Sequence, residues 1–289
     1  MNFKIKLAEK KDIDLLIAFI NEQWEGKHIF TKSRKLFNWQ YFNKDSRKYN
    51  FVIGICKKTN EIIGILGFIP LNHYDNKIKN LCWMSLWKVH KNARGHGLGK
   101  LLLLELQKKF KGQLFTVGAN KRTIPIYKSL GLKVGKLNHY FLANPKINKY
   151  KLIKVFKTAS NMNTDRQKKL DEISESEIVD YFESFKPSEQ YPFKSSDYIL
   201  NRYINHPFYN YFSYKISKDN YILGLVIIRK CEFKGCFALR VVDSIGHFDV
   251  LKYSGRSFRA ILGDAEYVDF YTLGLEKELQ LAGLNNLND

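Results

Sequence analysis

Apolar and polar positions change period several times along the first half of the chain. Residues 2–7 (NFKIKL) alternate as a half-buried strand does. From Asp12 the period lengthens. Ile13, Leu16, Ile17 and Ile20 share one face of a helix running to Asn21, with Asp12 as its cap. A second helix is predicted over Ser33 to Phe42. Three strand-like runs follow, 50–56 (NFVIGIC), 62–70 (IIGILGFIP) and 81–89 (LCWMSLWKV), separated by KTNE and by the polar HYDNKIKN. The helical period returns from Leu98 to Phe110. After it come a strand at 114–118 (LFTVG), a helix from Thr123 to Ser129 stopped by Gly131, and a last strand over 134–142. This order predicts an α/β (α+β) domain over 1–145, a mixed sheet flanked by helices.

The second half repeats the order of parts. A strand-like run, KLIKVFK (151–157), precedes a helical stretch near 176–185. SSDYILNRYINHPFYNYFSYKI (195–216) echoes SRKLFNWQYFNKDSRKYNFVIGI (33–55), and YILGLVIIRK (221–230) echoes IIGILGFIP. FALRVVDSIG (237–246) echoes the 81–89 strand, and a later LAGL (281–284) echoes SLGL (129–132). Residues 146–289 are therefore read as an internal duplication. The chain ends soon after LAGL, so either it is truncated there or the second sheet is one strand short.

Composition adds compartment and charge. Apolar residues make up 45% and charged residues 26%, enough for a sizeable core. The start, MNFKIKLAEKKD, lacks the apolar segment of a signal peptide, and no apolar run is long enough to span a bilayer. Cys56, Cys82, Cys231 and Cys236 show no metal-ligand spacing and read as reduced thiols, which fits a cytoplasmic protein without a metal. The net charge is +20. Residues 1–150 carry 29 Lys+Arg against 9 Asp+Glu, whereas 151–289 carry 19 of each. The basic half is expected to handle anions.

Directly after the 81–89 strand stands VHKNARGHGLGK (89–100). A Walker loop would need glycine at position 94 and a hydroxyl after Lys100; Arg94 and Leu101 stand there. A dinucleotide fingerprint would need GxGxxG with an acidic residue about 20 residues on, and neither is present. A third geometry fits: Arg94-Gly95-His96-Gly97-Leu98-Gly99 turns its amides inward at a helix N-terminus and binds a pyrophosphate.

WKVHKNARGHGLGKLLL resembles the acyl-CoA-binding segment of the GNAT superfamily of N-acyltransferases, whose signature is (Q/R)xxGx(G/A). Arg94, Gly97 and Gly99 fill its fixed positions. Downstream, Asn120, Thr123, Ile126, Tyr127, Leu130 and Gly131 in ANKRTIPIYKSLGL resemble the family's NxxAxxLYxxxGF pattern. The resemblance covers about 1–145, with the second half resembling a degenerate GNAT domain that has lost its phosphate loop, since GHFDVLKYSGRS (246–257) stands in its place. It implies tandem GNAT-like sheets and acetyl-CoA or another acyl-CoA as co-substrate, one per chain. Lys88, Val89, Arg94, Gly95, His96, Gly97, Leu98, Gly99, Lys100 and Asn120 are the implied cofactor-binding residues, with His96 facing solvent. The amide near Val89 would polarise the thioester, and Tyr127 would protonate the leaving thiolate. Asn120 reads equally as a helix cap. The family's usual general-base carboxylate is missing from 81–89; Ser85, His90, His73, His139, Glu22 and Glu25 are the substitutes.

The acceptor expected from the charge is a small primary amine on an anion, best an amino sugar carried on a nucleotide. Trp24, Phe30, Phe37, Trp39 and Tyr41 lie where the family covers its acceptor, although core packing claims them equally. A protein or peptide N-acyltransferase and an aminoacyl-tRNA-dependent transferase are the alternatives, and a non-enzymatic CoA sensor or scaffold is a third. Neither membrane nor nucleic acid is expected as a partner, because no Arg/aromatic nucleic-acid motif accompanies the charge. The second half is expected to complete the acceptor cleft or to mediate a homodimer.

Overall fold

The runs rich in Ile, Val and Phe become central strands, buried along their whole length where both faces are covered. The computed structural model describes residues 2–154, 169–185, 194–218, 221–246, 251–252 and 254–287. It divides into two compact units, Met1–Val134 and Gly135–Asp289.

In the first unit the strands are β1 (Phe3–Ala8), β2 (Phe42–Asn43), β3 (Lys48–Cys56), β4 (Ile62–Pro70), β5 (Leu81–Val89) and β6 (Gln113–Phe115). The sheet order is β1-β3-β4-β5-β6, with β2 beside β3. All pairs are antiparallel except β5 with β6, which run parallel. Helices α1 (Ile13–Gln23), α2 (Ile29–Lys32), α3 (Arg34–Tyr41), α4 (Leu98–Lys109) and α5 (Ile124–Ser129) complete the unit. Ser33 caps α3 by accepting from the Leu36 amide at 3.2 Å. Asp12 precedes α1 as expected, but its carboxylate turns back to accept from Glu9 N at 2.8 Å. One layer of core lies under α4, where Leu98, Leu102, Leu103 and Leu106 meet Val52, Leu66, Phe68 and Met84. Of the aromatic segment, Phe37 and Tyr41 are buried core, their rings against Phe51.

The second unit contains β7 (Asn138–Ala143), β8 (Lys169–Glu172), β9 (Tyr211–Lys218), β10 (Tyr221–Phe233), β11 (Cys236–Gly246), β12 (Tyr267–Thr272) and β13 (Asn285–Asn286). Its helices are α6 (Glu175–Ser184), α7 (Ser196–Ile199), continued by a π-helical turn over Leu200–Ile204, then α8 (Gly255–Ile261) and α9 (Glu276–Leu281). The sheet order is β13-β7-β12-β11-β10-β9-β8. From β8 to β12 the pairing senses reproduce those from β1 through β3, β4 and β5 to β6: three antiparallel ladders and then a parallel one. Equivalent irregularities interrupt β4/β5 and β10/β11. The equivalence reaches single bonds. Tyr41 donates to Ser85 on β5 at 3.0 Å, and Tyr203, at the same place in the echoing segment, donates to Asp243 on β11 at 2.8 Å.

Three expectations change. The strand expected to close the first sheet, β7, pairs antiparallel with β12 and β13 in the second, so the division falls ahead of it, at 134/135, and not at 145. Its Tyr140 and Leu142 are buried in the second unit's core, which is the hydrophobic reason for its place. The second sheet is consequently not a strand short: β7 and β13 extend it beyond β12. The run at 151–157 is irregular over 151–154, and its remainder lies outside the described residues. Of the segment 246–257, residues 247–250 and 253 also lie outside them.

Candidate active site

Strand β5 outlasts its neighbour. It pairs with β6 only through Leu81, Cys82 and Trp83, while against β4 it continues to Val89. Among the described residues no strand pairs with Met84–Val89 on the β6 side, so the sheet forks there. His90 N donates to Ile63 O at 2.9 Å. In an antiparallel ladder hydrogen-bonded and open pairs alternate, so the next pair, Val89 opposite Gly64, turns its N–H and C=O away from β4 into the fork. Trp87, two residues earlier opposite Leu66, does the same.

At the mouth of the fork the glycine loop turns into α4. Gly95 (φ +82°) and Gly97 (φ +75°) are left-handed, and Gly97 caps the helix. Leu101 N takes the first intrahelical bond to Gly97 O, 3.1 Å. The amides of Leu98, Gly99 and Lys100 therefore have no partner within the helix and carry its positive end. Arg94 donates from Nε to Val89 O at 3.3 Å and ties the loop to the strand end.

These parts enclose an open groove of about 540 Å³. Its walls contain Lys88, Val89, Arg94, Gly95, Gly97, Leu98, Gly99, Lys100 and Asn120, nine of the residues the resemblance nominated. Lys88, Arg94, Lys100 and Arg122 bring four cations to it, and no carboxylate lines it. His96 is absent from the walls; it is exposed, with its ring 3.0 Å from Arg94 O. Asn120 serves as both wall and cap: its Oδ1 accepts from the amides of Arg122 and Thr123 at 2.9 and 3.1 Å. Tyr127 stands behind the wall. It is buried, 5.3 Å ring to ring from Trp87, and burial raises its phenol above the ordinary tyrosine value, against hydrogen bonds with Thr116 and Thr123.

Trp87, Ala93, Arg122, Thr123 and Ile126 also line the groove without a cofactor assignment from the sequence; of these, Thr123 and Ile126 are already part of the downstream motif. Trp87 follows from strand parity, since it shares the Val89 side of β5; Ala93 lies in the 3-10 turn Lys91–Ala93 that leads into the glycine loop, and Arg122, Thr123 and Ile126 lie at the start of α5, whose facing direction no periodicity in so short a helix reveals.

The substitute bases separate. Ser85 is bonded to Tyr41. His73 is held 2.6 Å from Trp39 O, Glu25 pairs with Lys27, and His139 belongs to the second unit. His90 and Glu22 meet: Nε2 of His90 lies 3.3 Å from Glu22 Oε1, immediately beyond Val89, while its Nδ1 accepts from Asn92 N. Lys88 lies over the Trp24 ring, 5.1 Å from its centre. All four cysteines are free. Among the described residues there is no metal-binding cluster and no helix long and apolar enough to cross a membrane.

Residues 14–132 match the model of the Acetyltransferase (GNAT) family. No curated protein sequence matches the chain. Among solved structures, a GCN5-related N-acetyltransferase from Anabaena variabilis is similar over 99% of this chain and 70% of its own, with a TM-score of 0.66 at 13% identity. A GCN5-related N-acetyltransferase from Kribbella flavida is similar over 94% of this chain and 64% of its own, with a TM-score of 0.53 at 13% identity. The N-myristoyltransferase of Saccharomyces cerevisiae, solved with bound myristoyl-CoA, is similar over 98% of this chain and 81% of its own, with a TM-score of 0.54 at 11% identity. At these identities the likeness is one of fold, and it extends across both units.

Proposed function

We propose that this chain, whose residues 14–132 match the Acetyltransferase (GNAT) family, holds acetyl-CoA in its forked groove and transfers the acetyl group to a small primary amine carried on an anion. The observation that carries this reading is the groove itself, with unpaired β5 backbone on one side and the N-terminus of α4 on the other, four cations around it. The amides of Leu98, Gly99 and Lys100 would hold the pyrophosphate, assisted by Arg94 and Lys100. The pantetheine arm would pair with the Trp87 and Val89 backbone as a further strand would.

In the reaction the neutral amine adds to the thioester carbonyl. The Val89 N–H donates to the oxygen as it gains charge. As the carbon–sulfur bond breaks, the thiolate takes a proton from Tyr127, whose raised pKa keeps that proton available. The position of His90 and Glu22 just past Val89 favours them as the route by which the amine loses its proton. The anionic acceptor, of which a nucleotide-linked amino sugar is the type, rests on the basic charge of residues 1–150.

The test is calorimetric titration of acetyl-CoA into the full chain and into Gly97→Asp. One-to-one binding lost in the variant is expected; absence of binding by the parent chain overturns the reading.

A further inference from the structure

One donor in the groove takes no part in the reaction proposed above. Of the chain's four tryptophans, Trp87 is the one that lines the groove. Strand alternation puts its side chain with that of Val89, and both pack on the core under α4. Its ring centre stands 5.3 Å from that of Tyr127. Its edge meets the first turn of α4: a Cβ at Gly99 would lie 3.7 Å from Trp87 Cζ2 and 3.8 Å from Trp87 Nε1. These two atoms, and not the Cε2 between them, are the nearest of the ring. The indole therefore turns its N–H edge, and not its flat face, toward Gly99.

An indole N–H can only donate, and in a packed setting it ordinarily finds an acceptor. Trp87 is half-buried, and among the described residues its Nε1 has no hydrogen-bond partner. The helix end beside it supplies further donors. The amides of Leu98, Gly99 and Lys100 precede the first intrahelical bond, which runs from Leu101 N to Gly97 O. A side chain at position 99 would stand in front of the indole edge; glycine leaves that edge open. An indole N–H beside unpaired amides is satisfied by an anionic oxygen. The pyrophosphate of a bound acyl-CoA brings one to the same helix end.

We propose that Trp87 is a cofactor-binding residue whose Nε1–H donates to a pyrophosphate oxygen of the acyl donor, adding a side-chain contact to the backbone cradle. This rests on the reading of the groove as an acyl-CoA site. It also gives Gly99 a second reason to lack a side chain, since the indole reaches the phosphate across that position.

The test follows the indole N–H resonances of the ¹⁵N-labelled full chain, that of Trp87 being identified by its loss in Trp87→Phe. CoA, dephospho-CoA and pantetheine are titrated separately. CoA and dephospho-CoA, which share the pyrophosphate, should each move the resonance downfield to saturation; pantetheine, which has no phosphate, should not. Trp87→Phe keeps a ring against Tyr127 and loses the N–H, and in calorimetry it should bind CoA about tenfold more weakly. Three results overturn the proposal while leaving the groove reading intact, provided that CoA binds the parent chain one-to-one. They are a resonance that stays fixed with CoA, a shift that pantetheine reproduces or dephospho-CoA does not, and parent affinity in Trp87→Phe. CoA that fails to bind the parent chain overturns both. If Trp87→Phe does not fold, the resonance is assigned by its nuclear Overhauser effects to Tyr127, and the titrations decide alone.

Discussion

Leu98 is seated against Gly54: a Cβ at Gly54 would lie 2.7 Å from Leu98 Cδ1. Gly64, the cross-strand partner of Gly54, meets the same side chain, with its Cβ position 2.9 Å from Cδ2. The first residue of α4 is thus locked into a notch made by two glycines, and Leu98 itself is buried. Gly64→Ala should overpack this notch at a cost of about 1–3 kcal/mol. Adding Leu98→Ala should recover part of the loss, which urea denaturation of the double-mutant cycle would measure as non-additivity.

The loop glycines should separate by mechanism. At Gly97 a Cβ would meet nothing within 4 Å, and the position matters because φ is +75°. Gly97→Ala should cost about 1–2 kcal/mol of stability and also weaken acetyl-CoA binding. Gly99 has no such conformation, and its Cβ would touch only Trp87 and Val89 at ordinary contact distance. Gly99→Ala should unfold at the parent urea concentration yet bind acetyl-CoA at least about tenfold more weakly, because the methyl group crowds the bound pyrophosphate. Equal affinity in calorimetry would remove Gly99 from the site.

Tyr127 should reveal itself in the alkaline limb. Burial raises its pKa above the ordinary value of 10.0. The proton it donates is therefore present throughout the neutral range and is lost only above that value. Tyr127→Phe should lower kcat about 10²-fold with little change in acetyl-CoA affinity, and should abolish the alkaline fall in rate. The same shift carries a stability term of defined sign. The folded state holds its proton longer, so this contribution declines as pH rises from the unfolded pKa through the folded one.

His90→Phe and Glu22→Gln should behave alike. Each should reduce kcat/KM for the amine while leaving the calorimetric affinity for acetyl-CoA within about twofold, since neither group lines the groove. A variant with the parent pH–rate profile would free the pair from any part in proton transfer.

In the second unit, Asp269 is buried beneath His139 and Arg240. Burial raises its pKa, but the hydrogen bonds from His139 and Arg240 outweigh that effect, and the net shift is downward from 3.8. The resulting stability is present above the unfolded pKa and is lost as pH falls through the folded one. Asp269→Asn should cost about 3 kcal/mol near neutrality, because Arg240 loses its counter-charge. It should also flatten the acid limb of stability against pH in urea titrations.

The sequence by itself determined the local parts. The apolar pattern defined β3, β4, β5 and α4, because a strand covered on both faces needs a continuous apolar run and a helix resting on a sheet needs one apolar face. The loop was legible because left-handed backbone at positions 95 and 97 requires glycine. The duplication was legible because both halves solve the same packing problem, down to Tyr41 and Tyr203. Tertiary structure alone decided which sheet receives β7. Residues 138–143 alternate in the same way whichever edge they join, and the pairing that buries Tyr140 and Leu142 is made with β12, more than a hundred residues away. It also decided that Tyr127 stands behind the groove wall and that His90 reaches Glu22. Each of these depends on the meeting of side chains from distant elements, and no period along the chain records such a meeting.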